Sequence, residues 1–324
     1  MSLNSSACRI PETSLECDDT GRNAAERHPD FRVVVGIPTV GRAAIVADTV
    51  NAIADQTYLP DLVLISVADF QDAALLKDLN LPFPLSVLIS EKGATVQRNR
   101  ILDELQQNDL VLFLDDDFLM APDYLQQMVS VFADNPEVVL ATGKLIADGI
   151  SGPGYDHATG LRKLAEGLML PADPGLASAH TGYGCNMAFR ASALLTHELR
   201  FDESLPLYAW LEDVDFSNRL APHGRFVCPG AMRGVHLGTK TGRTPGRYLG
   251  YSQIANPIYL IRKGTISRKR ACNLMLRNIA SNLYGTVWPR PWADYRGRLM
   301  GNLIALRDVV LRRDRPDRIR DLKA

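Results

Sequence analysis

At 324 residues and 46% apolar content, with a formal net charge of -1, the chain is long enough to bury one large core, and wholesale disorder is excluded. No uninterrupted apolar run reaches the roughly 18 residues of a membrane span, and no basic segment precedes an apolar one at the start, so neither a spanning helix nor a signal peptide is read and a cytoplasmic location is expected. The five cysteines, Cys8, Cys17, Cys185, Cys228 and Cys272, are odd in number, scattered and free of any C-x-x-C pair, which argues against a disulfide framework and a thiolate zinc site.

Residues 1–30 mix polar and charged types without periodicity and are expected to form a disordered leader. From position 31 a βαβαβαβ alternation is predicted: strands over 32–37, 61–67, 85–89 and 110–114, with helices over 43–56 and 93–106 and a further polar-apolar stretch between the second and third strands. Short apolar strands separated by helices imply a mostly parallel sheet covered on both faces, with ligands at the carboxyl ends of its strands. A helix over 122–133 and a strand over 138–145 follow. The Gly-, Pro- and Asp-rich stretch 146–180 reads as an insertion that frames an acceptor, with one short helix over 161–168.

Three helical segments close the chain, over 248–263, 269–284 and 293–313. In the last, Leu299, Leu303, Leu306 and Val310 recur every three to four residues and predict one apolar stripe. A catalytic domain over 31–245 and a helical extension over 246–324 are therefore expected. Residues 262–324 hold 16 Lys/Arg against 5 Asp/Glu. Either these are solvated arginine faces, or they draw the chain to anionic lipid head groups or a lipid-diphosphate acceptor.

Asp115, Asp116 and Asp117 stand directly after an apolar strand, a clustering of like charge that a cation or protons must neutralise. Mn²⁺ or Mg²⁺ takes oxygen ligands and is commonly shared between one or two carboxylates and substrate phosphates, which fits a D-x-D arrangement of Asp115 and Asp117. A solvated or helix-capping acidic loop is the plainer alternative. Glu212, Asp213 and Asp215 open a later helix, where carboxylates ordinarily cap. One such cap does not account for all three, and a base that removes a hydroxyl proton has to be a carboxylate or a histidine within reach. His236, after a strand over 225–228 and a glycine-flanked turn, is either structural or completes a metal shell. The run 238–243, with Lys240 and Arg243 between glycines, reads as a mobile phosphate-contacting loop or as a surface turn. Aromatic Tyr183, Tyr208 and Trp210 suggest a stacked sugar face.

Other α/β chemistries lack their motifs. There is no G-x-G-x-x-G opening the first helix, no G-x-x-x-x-G-K-[ST] and no G-x-S-x-G, so dinucleotide oxidoreductase, P-loop and nucleophile-elbow readings fall. No nucleic-acid partner is expected.

In order and spacing these motifs resemble the family 2 glycosyltransferases of GT-A fold, over about 32–260. The resemblance implies a nucleotide-diphospho-sugar transferase fold: an α/β domain with a mostly parallel sheet flanked by helices. It implies that Pro38, Thr39 and Arg42 line the nucleotide and that Asp69 contacts the base, usually uracil, although Ala68 replaces the first aspartate of the commoner pair. Arg98 and Asn99 stand in the family's Gly-x-x-x-x-Arg-Asn helix start. Asp115 and Asp117 form the D-x-D motif, with His236 as a further metal ligand in some members and Asp116 near the donor ribose or sugar. Asn186 lies in the acceptor-side stretch with Tyr183, and Trp210 precedes the Glu-Asp motif. That motif maps to Glu212, which orients an acceptor hydroxyl, and Asp213, the catalytic base.

The implied activity is inverting transfer from a UDP sugar to a saccharide, with Mn²⁺ or Mg²⁺, in polysaccharide biosynthesis; the basic C-terminal helices suggest a polyprenyl-diphosphate-linked acceptor and a peripheral place at the inner face of a membrane. Competing readings are a sugar-nucleotide nucleotidyltransferase, which should carry a Gly-x-Gly-Thr-Arg type loop where Pro38-Thr39-Val40-Gly41-Arg42 stands, and a non-catalytic sugar-nucleotide binding protein.

Overall fold

The computed structural model describes residues 28, 30–242 and 244–322. Apart from His28 and Asp30, the leader expected over 1–30 lies outside them, as does Arg243. The first half of the chain runs β1 (Arg32–Thr39), α1 (Ala43–Ile53), β2 (Leu62–Val67), β3 (Leu85–Ile89), α2 (Ala94–Leu102), β4 (Asp109–Leu114), β5 (Phe118–Met120) and α3 (Tyr124–Asp134). Next come β6 (Val138–Thr142), β7 (Lys144–Asp148), α4 (His157–Leu168), β8 (Leu176–Ser178), β9 (Asn186–Arg190) and α5 (Ala191–Thr196). The remainder is α6 (Glu212–Leu220), β10 (Arg225–Pro229), β11 (Arg233–His236), α7 (Gly246–Lys263), α8 (Arg268–Val287) and α9 (Tyr295–Val310).

Eight strands form the main sheet in the order β3-β2-β1-β4-β9-β6-β10-β8. The first four are parallel, as their apolar runs predict; β9 lies antiparallel between β4 and β6, and β8 is antiparallel at the edge. Alternate side chains of β1 separate two cores. Val33, Val35 and Ile37 pack with α1 and α3, whereas Val34 joins Ile101, Phe113, Phe189 and Phe216 on the other face. Helix α1 buries Val46, Ala47, Val50 and Ile53, a spacing of three and four that forms one stripe.

Three expectations change. Between β2 and β3 there is no α-helix, only two 3-10 turns over Phe70–Ala73 and Leu76–Asp78. Asp69 caps the first by accepting from the Gln71 N–H, and Pro82 and Pro84 leave no room to continue. The strand expected over 138–145 is two strands in two sheets. They break at Gly143, where a Cβ would sit 2.4 Å from the Tyr124 hydroxyl. Within the insertion, α4 starts earlier than expected because Asp156 caps it at the Thr159 N–H.

A second sheet, β5-β11-β7, stands beside the carboxyl end of β4. β11 is antiparallel to β5 and parallel to β7, so His236 pairs with Phe118 on one side and with Asp148 on the other.

The C-terminal helices rest on the catalytic body through α7. Its Leu260 joins Leu205, Ala209 and Val214 in one apolar cluster, and Lys263 pairs with Asp202 and with fully buried Asp215. The stripe expected to bury α9 faces out instead: Leu303 is 54% and Val310 82% exposed. The helix packs through Gly301, Asn302, Ala305 and Asp308, whose small or polar character a hydrophobic pattern does not register. No described helix is long and apolar enough to cross a membrane.

Candidate active site

The three aspartates after β4 separate into two kinds. Asp116 turns inward, only 4% exposed: its carboxylate accepts from the Thr39 hydroxyl at 2.6 Å and from Arg42 at 2.7 Å, while its carbonyl accepts from Thr49. It therefore holds the 38–42 loop. Burial, only partly offset by Arg42, pushes its carboxyl up to about 6. Asp117 is as deeply buried, 2% exposed, but faces His236, as does the partly exposed Asp115.

Register brings His236 to them. Its Nε2 lies 3.4 Å from Asp117 and 3.8 Å from Asp115, and its Nδ1 lies 2.8 Å from Asp148. Burial favours the neutral ring, but hydrogen bonds to Asp117 and Asp148 override it and lift His236 to about 10. The same contact, with Arg42 and the Thr239 N–H, outweighs burial at Asp117 and holds that carboxyl at about 2. That N–H reaches Asp117 at 2.7 Å because Gly238 turns the chain at φ +63, where a Cβ would meet Gly149 at 2.3 Å.

Asp115, Asp117 and His236 each offer a ligand atom, all within 4.8 Å of one another. Two hard oxygens and one imidazole suit Mn²⁺ or Mg²⁺, and Asp148 on the far ring nitrogen fixes the ring as an outer partner of a metal ligand does. A ligating imidazole is neutral, so a cation here displaces the proton that the bare carboxylates favour. Asp148 was missed from sequence because its strand was ended three residues early. The clue was an aspartate closing an apolar run, as at Asp115.

Arg98 is 3% exposed and lies under the cleft. It forms an ion pair with Glu212, lies 3.4 Å from Asp115 and donates to the Gly184 carbonyl at 2.9 Å. Burial pushes Glu212 up to about 8 against the pull of Arg98, and raises Asp213 as well. Asp213 accepts from the Gly184 N–H at 3.3 Å and from the Val214 N–H at 2.8 Å. Gly184 thus touches both Asp213 and Arg98, and Arg98 in turn reaches Asp115 and Glu212. The segment before them is strained: Leu207, Ala209 and Leu211 have φ of 58, 51 and 74, and Asn256 of α7 donates to the Trp210 carbonyl.

Other expected residues are placed less directly. Pro38 is the penultimate residue of β1, and Asp69, exposed two residues past the end of neighbouring β2, caps a turn. Gln97, which sequence reasoning passed over, ties both edges by donating to the Thr39 and Ser66 carbonyls. Asn99 is turned away, its amide held by Phe201 and Glu203, and Asn186 is fully buried against Thr142 and Gly143. Neither side chain faces the cleft. Tyr183 is partly exposed, donates to Asp148 and stands edge-on to His236. Lys240 donates to the Gly149 and Ile150 carbonyls.

A Glycosyltransferase like family 2 model matches residues 29–232. The chain belongs to this glycosyltransferase family. Among solved structures, the family 2 domain is similar to Staphylococcus aureus TarS at 17% identity and TM-score 0.47, over 63% of this chain and 36% of that one, so it spans about a third of TarS. It is also similar to a mannosyltransferase from Pyrobaculum calidifontis (19%, TM-score 0.47, 84% of this chain and 87% of that one) and to GalNAc-T7 (12%, TM-score 0.50, 82% and 59%). No curated protein matches the family 2 chain in sequence. Its mostly parallel sheet with flanking helices is the GT-A fold.

Proposed function

We propose that this glycosyltransferase moves a sugar from a nucleoside-diphosphate sugar, with UDP as the nucleotide, to a saccharide or polyprenyl-diphosphate-linked saccharide in one inverting displacement. The observation that carries this reading is the pair of carboxylate clusters linked through Arg98, Asp115–Asp117–His236 and Glu212–Asp213.

Asp213 takes the proton of the acceptor hydroxyl as that oxygen attacks the anomeric carbon. Burial raises its proton affinity, which suits a base. Glu212, held by Arg98, orients the hydroxyl. On the donor side Thr39 and Arg42, locked by Asp116, set the loop under the nucleotide, and exposed Asp69, just past β2, takes the uracil base. Mn²⁺ or Mg²⁺ held by Asp115, Asp117 and His236 supplies charge neutralisation of the diphosphate leaving group. The loop 238–242, anchored to Asp117 through Thr239 and to the insertion through Lys240, closes that side. Tyr183 and Tyr208 present exposed rings to the acceptor.

Asp213→Asn tests the base. Donor binding, read by thermal shift with UDP sugars and Mn²⁺, should persist while transfer falls at least about a hundredfold. Near-normal turnover in the variant overturns the assignment, and a preference for GDP over UDP sugars overturns the uracil reading.

A further inference from the structure

Of the 18 large apolar side chains exposed among the described residues, 10 fall between positions 276 and 311, on α8, α9 and the turns after them. On α8 they repeat at helical spacing: Leu276, Leu283 and Val287 form one row, with Tyr284 and Trp288 beside it. The opposite face of α8 makes the internal contacts, where Asn282 donates to Gln253 and Asn302 and Gly285 meets the ring of Tyr295. The outward faces of α8 and α9 are therefore surplus to the packing of the fold, and larger than the scattered apolar exposure of a soluble surface.

Charge on the same helix says what covers it. Helix α8 carries Arg268, Lys269, Arg270 and Arg277 and no carboxylate. Three of these cations occupy the first turn, where the helix dipole favours anions. Lys269, Arg270 and Arg277, with Ser267 and Asn273, line a surface recess of about 420 Å³ at that end. The exposed surface of α8 is thus basic towards its start and apolar towards its end, where Tyr284 and Trp288 stack at 4.8 Å. A bilayer with anionic head groups matches both halves at once: phosphates at the basic recess, and acyl chains against the apolar row and the aromatic pair beside it.

We propose that the outward surface of α8 is a peripheral docking site for an anionic lipid bilayer, entered by Leu283 and Val287 and held by Lys269, Arg270 and Arg277. This assignment does not depend on the catalytic reading, since none of these side chains belongs to the cleft.

Co-sedimentation of the full chain with vesicles tests it, comparing phosphatidylcholine alone with a mixture rich in phosphatidylglycerol at low and high salt. Binding should require the anionic lipid and weaken with salt. Leu283→Glu with Val287→Glu, and separately Lys269→Glu with Arg270→Glu and Arg277→Glu, should each weaken it by at least about tenfold, because either removes apolar insertion or reverses three surface charges. Circular dichroism and UDP-sugar binding should stay at wild-type levels, because all the substituted side chains are outside the core. Failure of the wild-type chain to bind anionic vesicles overturns the proposal, as does undiminished binding by both variants. A concentration-dependent dimer in sedimentation velocity that Leu283→Glu with Val287→Glu dissolves, without vesicle binding, would instead assign the face to a second copy.

Discussion

Arg98 and Glu212 form a buried ion pair beneath the cleft, and the same guanidinium lies 3.4 Å from Asp115. One cation therefore offsets charge on both the metal-side and the base-side carboxylates. Removing one partner of a buried pair leaves the other uncompensated, so Arg98→Met should cost about 3–5 kcal/mol of stability in urea unfolding. Arg98→Met combined with Glu212→Leu should recover much of that loss while transfer stays abolished. An Arg98→Met protein with a wild-type urea midpoint would show that the pair contributes nothing to the fold.

The pH profile follows from Asp213. Burial raises its proton affinity more than the Val214 N–H, Arg98 and the Gly184 N–H lower it. A base works ionised, so kcat/KM should rise with pH through the raised value, with its acid limb above the ordinary aspartate value of about 3.9. A limb at or below that value counts against Asp213 as the base.

Asp148 fixes the His236 ring from the side away from the cleft. Loss of such an outer partner commonly weakens metal binding about 10- to 100-fold. Asp148→Asn should therefore need correspondingly more Mn²⁺ for half-maximal transfer, with unchanged circular dichroism. Equal Mn²⁺ titrations for variant and wild type would remove Asp148 from the site.

Acid stability should depend on Asp202, which ties the segment before α6 to Lys263 and Tyr259 of α7. Burial acts to raise its pKa, but Lys263, Tyr259 and the Ser204 N–H outweigh it and hold the carboxyl at about 2. A folded value below the unfolded one, about 3.9, means that the contribution is present above pH 4 and is lost as pH falls through 2. Asp202→Asn should lower the urea midpoint at pH 5.5 and narrow its gap from wild type at pH 2.5. A gap of constant size at both pH values would exclude the linkage.

The residues proposed for the donor were legible because they follow apolar strands: Thr39, Asp69 and the Asp115–Asp117 triplet stand at the carboxyl ends of parallel neighbours β1, β2 and β4. What a linear pattern does not carry is facing. Asp116 sits between two aspartates that face His236, yet it turns to Thr39 and Arg42, and Asn99 and Asn186 spend their amides on backbone. The small sheet escaped notice because β5 and β7 are three and five residues long and pair with a strand more than 80 positions away. In α9 the most apolar stripe is the outer one, since contact with α7 uses Gly301 and Ala305 for close approach and Asn302 for a hydrogen bond to the Gly250 carbonyl.

The pairing of β11 with β5 and β7 has a thermodynamic corollary. His236, Asp148 and the Asp115–Asp117 turn come from three stretches of chain that meet only when the small sheet has docked. A cation seated on Asp115, Asp117 and His236 would act as a removable cross-link between β4 and β11. Free metal and folding would then share one equilibrium, each tenfold rise in metal above its dissociation constant adding about 1.4 kcal/mol to the folded state. The unfolding midpoint of the chain would serve as a gauge of the metal concentration around it.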